Sequence, residues 1–77
     1  MEKEKRELRN IIRNLEKVYD KDFDLFVKYC MICGKKEYEL FEKPTDEEIY
    51  LRTFYQQLTY DECIEIRALK EKLKNLK

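Results

Sequence analysis

Apolar residues recur along the first part of the chain at helical spacing: Leu8, Ile11, Ile12, Leu15, Val18 and Tyr19, with charged side chains on the opposite face. The stripe continues in phase through Phe23, Phe26, Val27, Cys30 and Met31, which predicts one long helix over residues 3–32. Asp20, Asp22 and Asp24 crowd together inside it. Aspartate is a weak helix former and a strong N-cap, so a break near 20–22, giving two helices, competes with one continuous helix. Gly34 is the sole glycine and follows the stripe directly. With Lys35 and Lys36 beside it, it reads as a left-handed helix stop. In KKEYELFEKP, Tyr38 and Leu40 alternate with charged residues, which predicts a short extended or irregular connector closed by Pro44.

Two helix starts follow. Thr45-Asp46-Glu47-Glu48 has the form of a capping box, in which threonine and glutamate each satisfy a backbone N–H that the first helical turn leaves free. Ile49, Tyr50, Leu51, Phe54, Tyr55 and Leu58 then line a helix. Thr59-Tyr60-Asp61-Glu62 repeats the box, with Leu58 and Cys63 at the two positions of a hydrophobic staple. The last segment carries Cys63, Ile66, Leu69, Leu73 and Leu76; from Ile66 on, the spacing alternates three and four, as in a narrow coiled-coil seam. The expectation is an all-α fold: a single small helical domain over 1–77, as a three- or four-helix bundle or a helical hairpin assembly.

Composition supports helices. Charged residues make up 44 % of the 77 and hydrophobic ones 43 %, with one Gly and one Pro, too few for a loop-rich or all-β protein. A chain this short offsets its conformational entropy with little to spare, and proteins of this size often draw stability from a partner chain, a metal or a disulfide. The formal net charge is zero but segregated. Residues 1–21 carry seven basic and five acidic side chains, 22–66 carry five and eleven, and 67–77 carry five and one. A neutral total argues against a general nucleic-acid binder. No apolar run approaches the ~20 residues a membrane span needs, and MEKEKRELRN holds no apolar signal core, so a cytoplasmic location is expected. Three cysteines, an odd number, argue against a secreted disulfide framework.

The segment YCMICGKK raises three chemistries. Cys30-x-x-Cys33-Gly has zinc-knuckle spacing, but a metal site needs more ligands. The chain has no histidine, and its remaining cysteine is Cys63. A site from Cys30, Cys33 and Cys63, with Asp61 as fourth ligand, or one pooled across two chains, is the metal reading; nothing in the spacing demands it. A redox pair wants a helix N-terminus, where the dipole lowers a thiol pKa, and this pair sits at a C-terminus. The remaining reading is that the cysteines act as small apolar residues: Cys30 continues the stripe and Cys63 occupies a staple position. No metal or other cofactor is therefore expected. Asp20-x-Asp22-x-Asp24 begins like a calcium loop, but the glycine and glutamate that loop requires are Leu25 and Met31. Without histidine, and without a glycine-rich phosphate loop, no catalytic set is visible and no enzyme is expected.

Six Tyr and four Phe are many for this length. The apolar arc of the segment after Thr45 is wider than one helix contact covers, the pattern of a helix sandwiched between neighbours or with one side left for a partner. A helix-turn-helix drawn through 46–77 would place Asp61, Glu62 and Glu65 where bases are read, and these repel phosphate. The sequence thus points to a non-enzymatic protein-binding module, a small regulator, inhibitor or adaptor of the sort phages and mobile elements encode. Its partner is another protein or a second copy of itself, and a homo-oligomer is expected; nucleic acid and membrane are not. The expected interface is Tyr50, Phe54, Tyr55, Leu58, Ile66, Leu69 and Leu73, with Glu42–Glu48 steering a basic partner. The alternative is a zinc-stabilised regulator that binds nucleic acid through its basic C-terminal helix.

Overall fold

The computed structural model describes residues 2–76. It is a helical hairpin: α1 spans Glu2–Gly34, α2 spans Asp46–Asn75, and the two pack against each other antiparallel. The hairpin is 57 Å long and 17 by 15 Å across, with a radius of gyration of 17.1 Å, against about 12 Å for a compact domain of this length.

Helix α1 runs unbroken through the three aspartates. No glycine or proline lies between Glu2 and Cys33. Each aspartate costs a helix interior only ~0.5–0.7 kcal/mol, which the continuous apolar stripe outweighs. The expected stop at Gly34 is not there. Gly34 is right-handed (φ −62°, ψ −43°), and the helix passes through it into one wide π-helical turn over Lys35–Glu39, closed by the Leu40 N–H donating to the Lys35 carbonyl at 3.1 Å. The left-handed residue that ends the helix is Phe41 (φ 53°), and the Glu42 N–H reaches back to the Lys36 carbonyl at 2.7 Å. The expected extended connector is therefore a π turn followed by a short irregular link. A Cβ added at Gly34 meets nothing within 4 Å. Gly34→Ala is accordingly expected to stabilise the hairpin by about 0.5–1 kcal/mol, read by urea unfolding; a glycine in the left-handed conformation would give the opposite sign.

At the start of α2 the capping box is present. Thr45 Oγ1 accepts the Glu48 N–H at 3.1 Å, and Glu48 Oε1 accepts the Thr45 N–H at 2.8 Å. The same carboxylate takes Lys36 Nζ at 2.6 Å, and the Cys33 thiol donates to the Glu48 carbonyl at 3.8 Å. These bonds tie the last turns of α1 to the first turn of α2. Lys36 first, and then the Thr45 N–H, hold the Glu48 carboxyl below its ordinary value.

The second box starts no helix, so within one chain the expected third and fourth helices merge into α2. Thr59 is buried mid-helix, and its hydroxyl donates back to the carbonyls of Tyr55 (2.7 Å) and Gln56 (3.1 Å). Threonine can use its hydroxyl this way inside a helix, at a small cost that it does not carry at a cap. What decides is packing. Along α1, Leu8, Ile12, Leu15, Tyr19, Asp22, Phe26, Tyr29 and Cys33 alternate steps of four and three. Along α2, Tyr55, Thr59, Glu62, Ile66, Leu69, Leu73 and Leu76 do the same. All of these residues are buried or half-buried, so the spacing seen after Ile66 is part of a seam that runs back through Thr59. A break at Thr59 would take Tyr55 off the line that Ile66 follows.

Three cross-helix pairs fix the register: Lys36–Glu48, Tyr29–Tyr55 and Asp22–Glu62. Each pair is two helical turns from the next, in opposite directions along the two helices. The same steps bring Leu15 level with Leu69 and Leu8 level with Leu76. These residues belong to one apolar cluster built on Leu8, Ile12 and Ile66.

Candidate interaction surface

Two antiparallel helices have two flat sides. On one, Glu16, Tyr19 and Asp20 of α1 border a shallow hollow with Cys63, Ile66 and Lys70 of α2. Lys70 pairs with Glu16 across it at 3.5 Å. Arg52 lies eighteen residues, five full turns, before Lys70 and so on the same side, where it reaches Glu37 at 3.5 Å. That side is bridged by charge, with Phe23 stacked on Tyr19 (5.7 Å) and tilted on Phe26 (6.1 Å).

The other side carries a run of apolar residues among charged ones. Ile11 shares a hollow with Leu8 and Leu76, bordered by Glu4, Glu7 and Lys72. Ile11, Val18, Leu25 and Ile32 follow at seven-residue steps, a line nearly parallel to the α1 axis. On α2, Phe54 lies five turns before Lys72 and so on the same side, with Tyr50 one turn further back. An aromatic chain runs from the seam out to this side: Tyr29 stacks on Tyr55 at 5.9 Å, Tyr55 meets Phe54 edge-on at 5.2 Å, and Phe54 stacks on Tyr50 at 6.1 Å. Exposure is 49 % for Ile11 and for Val18, 45 % for Phe54 and 64 % for Tyr50.

The residues expected at the interface divide between these environments. Ile66 is buried in the seam, Leu69 and Leu73 pack on it, and Tyr55 is half-buried against Tyr29. Leu58 is half-buried, while Tyr50 and Phe54 remain on the outside. The line Ile11–Val18–Leu25–Ile32 on α1 completes the open side. Its seven-residue spacing was the signal that would have picked it out. Of the acidic stretch Glu42–Glu48, the Glu48 carboxylate is bonded internally, and Glu42, Asp46 and Glu47 face outward.

The hairpin also reorders the charges. The basic segments 1–21 and 67–77 come together at its open end, and the acidic segment 22–66 forms the half that contains the turn. At the turn, Tyr38 and the left-handed Phe41 are the most exposed aromatics, at 79 % and 88 %.

Cys30 and Cys33 sit one turn apart on α1, and Cys63 lies away from Cys33 on α2. Cys33 is buried beneath the first turn of α2, whereas Cys63 borders the Tyr19–Lys70 hollow farther along the seam. Among the described residues no three of His, Cys, Asp or Glu gather closely enough to hold a metal ion. No helix among them is long and apolar enough to cross a membrane.

One polar layer interrupts the apolar seam: Asp22 of α1 faces Glu62 of α2. Glu62 is 9 % exposed, and its Oε1 is buried without a hydrogen-bond partner. Two carboxylates cannot donate to one another; one shared proton supplies the missing bond. Burial first, then the bond with Asp22 and the negative charges of Asp22 and Glu65, push the Glu62 carboxyl up to about 7. Comparison with protein-family models, with curated proteins and with solved structures finds no match to this chain.

Proposed function

We propose that this chain is a non-enzymatic protein-binding module that works by presenting one apolar side of a helical hairpin. The observation that carries the reading is the line Ile11–Val18–Leu25–Ile32, exposed at Ile11 and Val18 and half-buried at Leu25 and Ile32, beside the outward rings of Phe54 and Tyr50. Apolar surface that runs the length of a small protein marks a place where another macromolecule sits. Aromatic side chains next to aliphatic ones are the usual anchors of such contacts. The charge-bridged opposite side offers less. A small regulator, inhibitor or adaptor needs nothing more than such a surface.

A photoreactive phenylalanine analogue placed at Tyr50, and separately at Lys17 on the exposed outer edge of α1, tests this reading in cells. Covalent protein adducts are expected from position 50 and not from position 17. Equal labelling at both positions, or none at 50, would contradict it.

A further inference from the structure

We infer that the occupant of this open side is a second copy of the chain, so that two hairpins pack face to face as an antiparallel four-helix bundle. The inference rests on the interaction reading above and names its partner. Four observations point to a copy rather than to an unrelated protein.

The first is the poverty of the core. Among the described residues the buried apolar side chains are Leu8, Ile12, Cys33, Pro44 and Ile66, while twelve large hydrophobic ones are exposed. An isolated pair of helices with so little buried surface does not offset the entropy of ordering more than sixty helical residues. Whatever covers the open side must therefore be present whenever the chain is folded. A copy meets that condition because folding and association then share one surface, with a stability that rises with protein concentration.

The second is periodicity. A helix in a two-stranded seam needs two apolar positions per heptad. Helix α1 carries a third, the line Ile11, Val18, Leu25 and Ile32, which is the pattern of a helix with two neighbours in a bundle.

The third is size. One flat side, 57 Å by 17 Å, projects about 970 Å², enough for the roughly 800 Å² per partner of a standard specific interface.

The fourth is charge. A copy turned end for end lays its basic open end over the acidic, turn-containing half of its partner, and does so twice by symmetry. That orientation also keeps neighbouring helices antiparallel.

Sedimentation equilibrium of the purified full chain over a wide concentration range tests the inference. The wild type is expected at twice the 9.6 kDa chain mass. Val18→Glu combined with Phe54→Glu is expected to weaken association roughly 30-fold or more, and Val27→Glu, away from the open side, to change it less than about threefold. Should the double variant fail to fold, the wild type alone decides: its thermal midpoint rises with protein concentration if folding and association are coupled, and stays fixed if they are not. A wild type at single-chain mass with a concentration-independent midpoint overturns the inference, as does dissociation by Val27→Glu with the double variant unaffected. A single-chain wild type that still gives adducts with a different protein from position 50 overturns the second copy alone and leaves the interaction reading standing.

Discussion

Replacing Glu62 with glutamine or leucine is expected to stabilise the protein at pH 8, although it removes a charge from the middle of the molecule. In the wild type that pH ionises Glu62, and its Oε1 is then a buried charge with no partner. Glutamine keeps the shape and donates to Asp22; leucine extends the apolar seam. The raised pKa puts the wild-type penalty at up to about 3 kcal/mol. A gain of about 1–3 kcal/mol in unfolding free energy, or roughly 5–15 °C in thermal midpoint, is expected for either variant. A pH series adds an internal check. The folded protein holds the shared proton up to about pH 7, whereas an unfolded glutamate releases it near 4.5. The stabilisation from that proton is complete below 4.5 and is lost as pH rises through 7. Glu48 works in the other direction: its carboxyl is held low by Lys36, so its contribution is present above the ordinary value and lost on further acidification. Wild-type stability should therefore be highest on the acid side of neutrality, and Glu62→Gln should flatten the fall between there and pH 8. A wild-type profile flat from pH 5 to pH 8, or variants no more stable than wild type at pH 8, would rule out this account of the layer.

The second large effect concerns two isoleucines two residues apart. Ile66 is buried at the centre of the seam, and Ile64 is about half exposed on the outer edge of the same helix. Ile66→Ala is expected to cost about 2–4 kcal/mol, the usual range for emptying a packed apolar site. In a protein with so small a core that loss leaves much of the population unfolded at room temperature. Ile64→Ala should change stability by less than about 0.5 kcal/mol, since surface burial is slight and alanine is the better helix former. Urea titrations followed by helical circular dichroism separate the two. Equal losses would mean that the register drawn through Lys36–Glu48, Tyr29–Tyr55 and Asp22–Glu62 is wrong.

Much of this fold was legible in the sequence, and its gaps have physical reasons. The α1 stripe and the Thr45 capping box depend on contacts within a few residues, and both stand in the structure. The division at Thr59 failed because a threonine hydroxyl can bond back to Tyr55 and Gln56 inside a helix, so the Thr-x-x-Glu spacing does not by itself start one. The choice was made by the partner helix, through a seam that includes Thr59 and Glu62 themselves. Gly34 failed as a stop for a related reason: by running on past it the chain brings Lys36 to Glu48, and Phe41 takes the left-handed position despite its Cβ. The Asp22–Glu62 layer and the pooling of basic segments at one end are consequences of register between distant residues, which no local pattern carries. The aromatic cluster after Thr45 divides into seam (Tyr55) and surface (Tyr50, Phe54), and that division also required the position of α1.

A native mass measurement of the purified chain at neutral pH separates a hairpin whose open side is filled by a second copy from one that stands alone. A species at twice the 9.6 kDa chain mass is expected. A stable, fully helical species at single-chain mass would contradict the second copy.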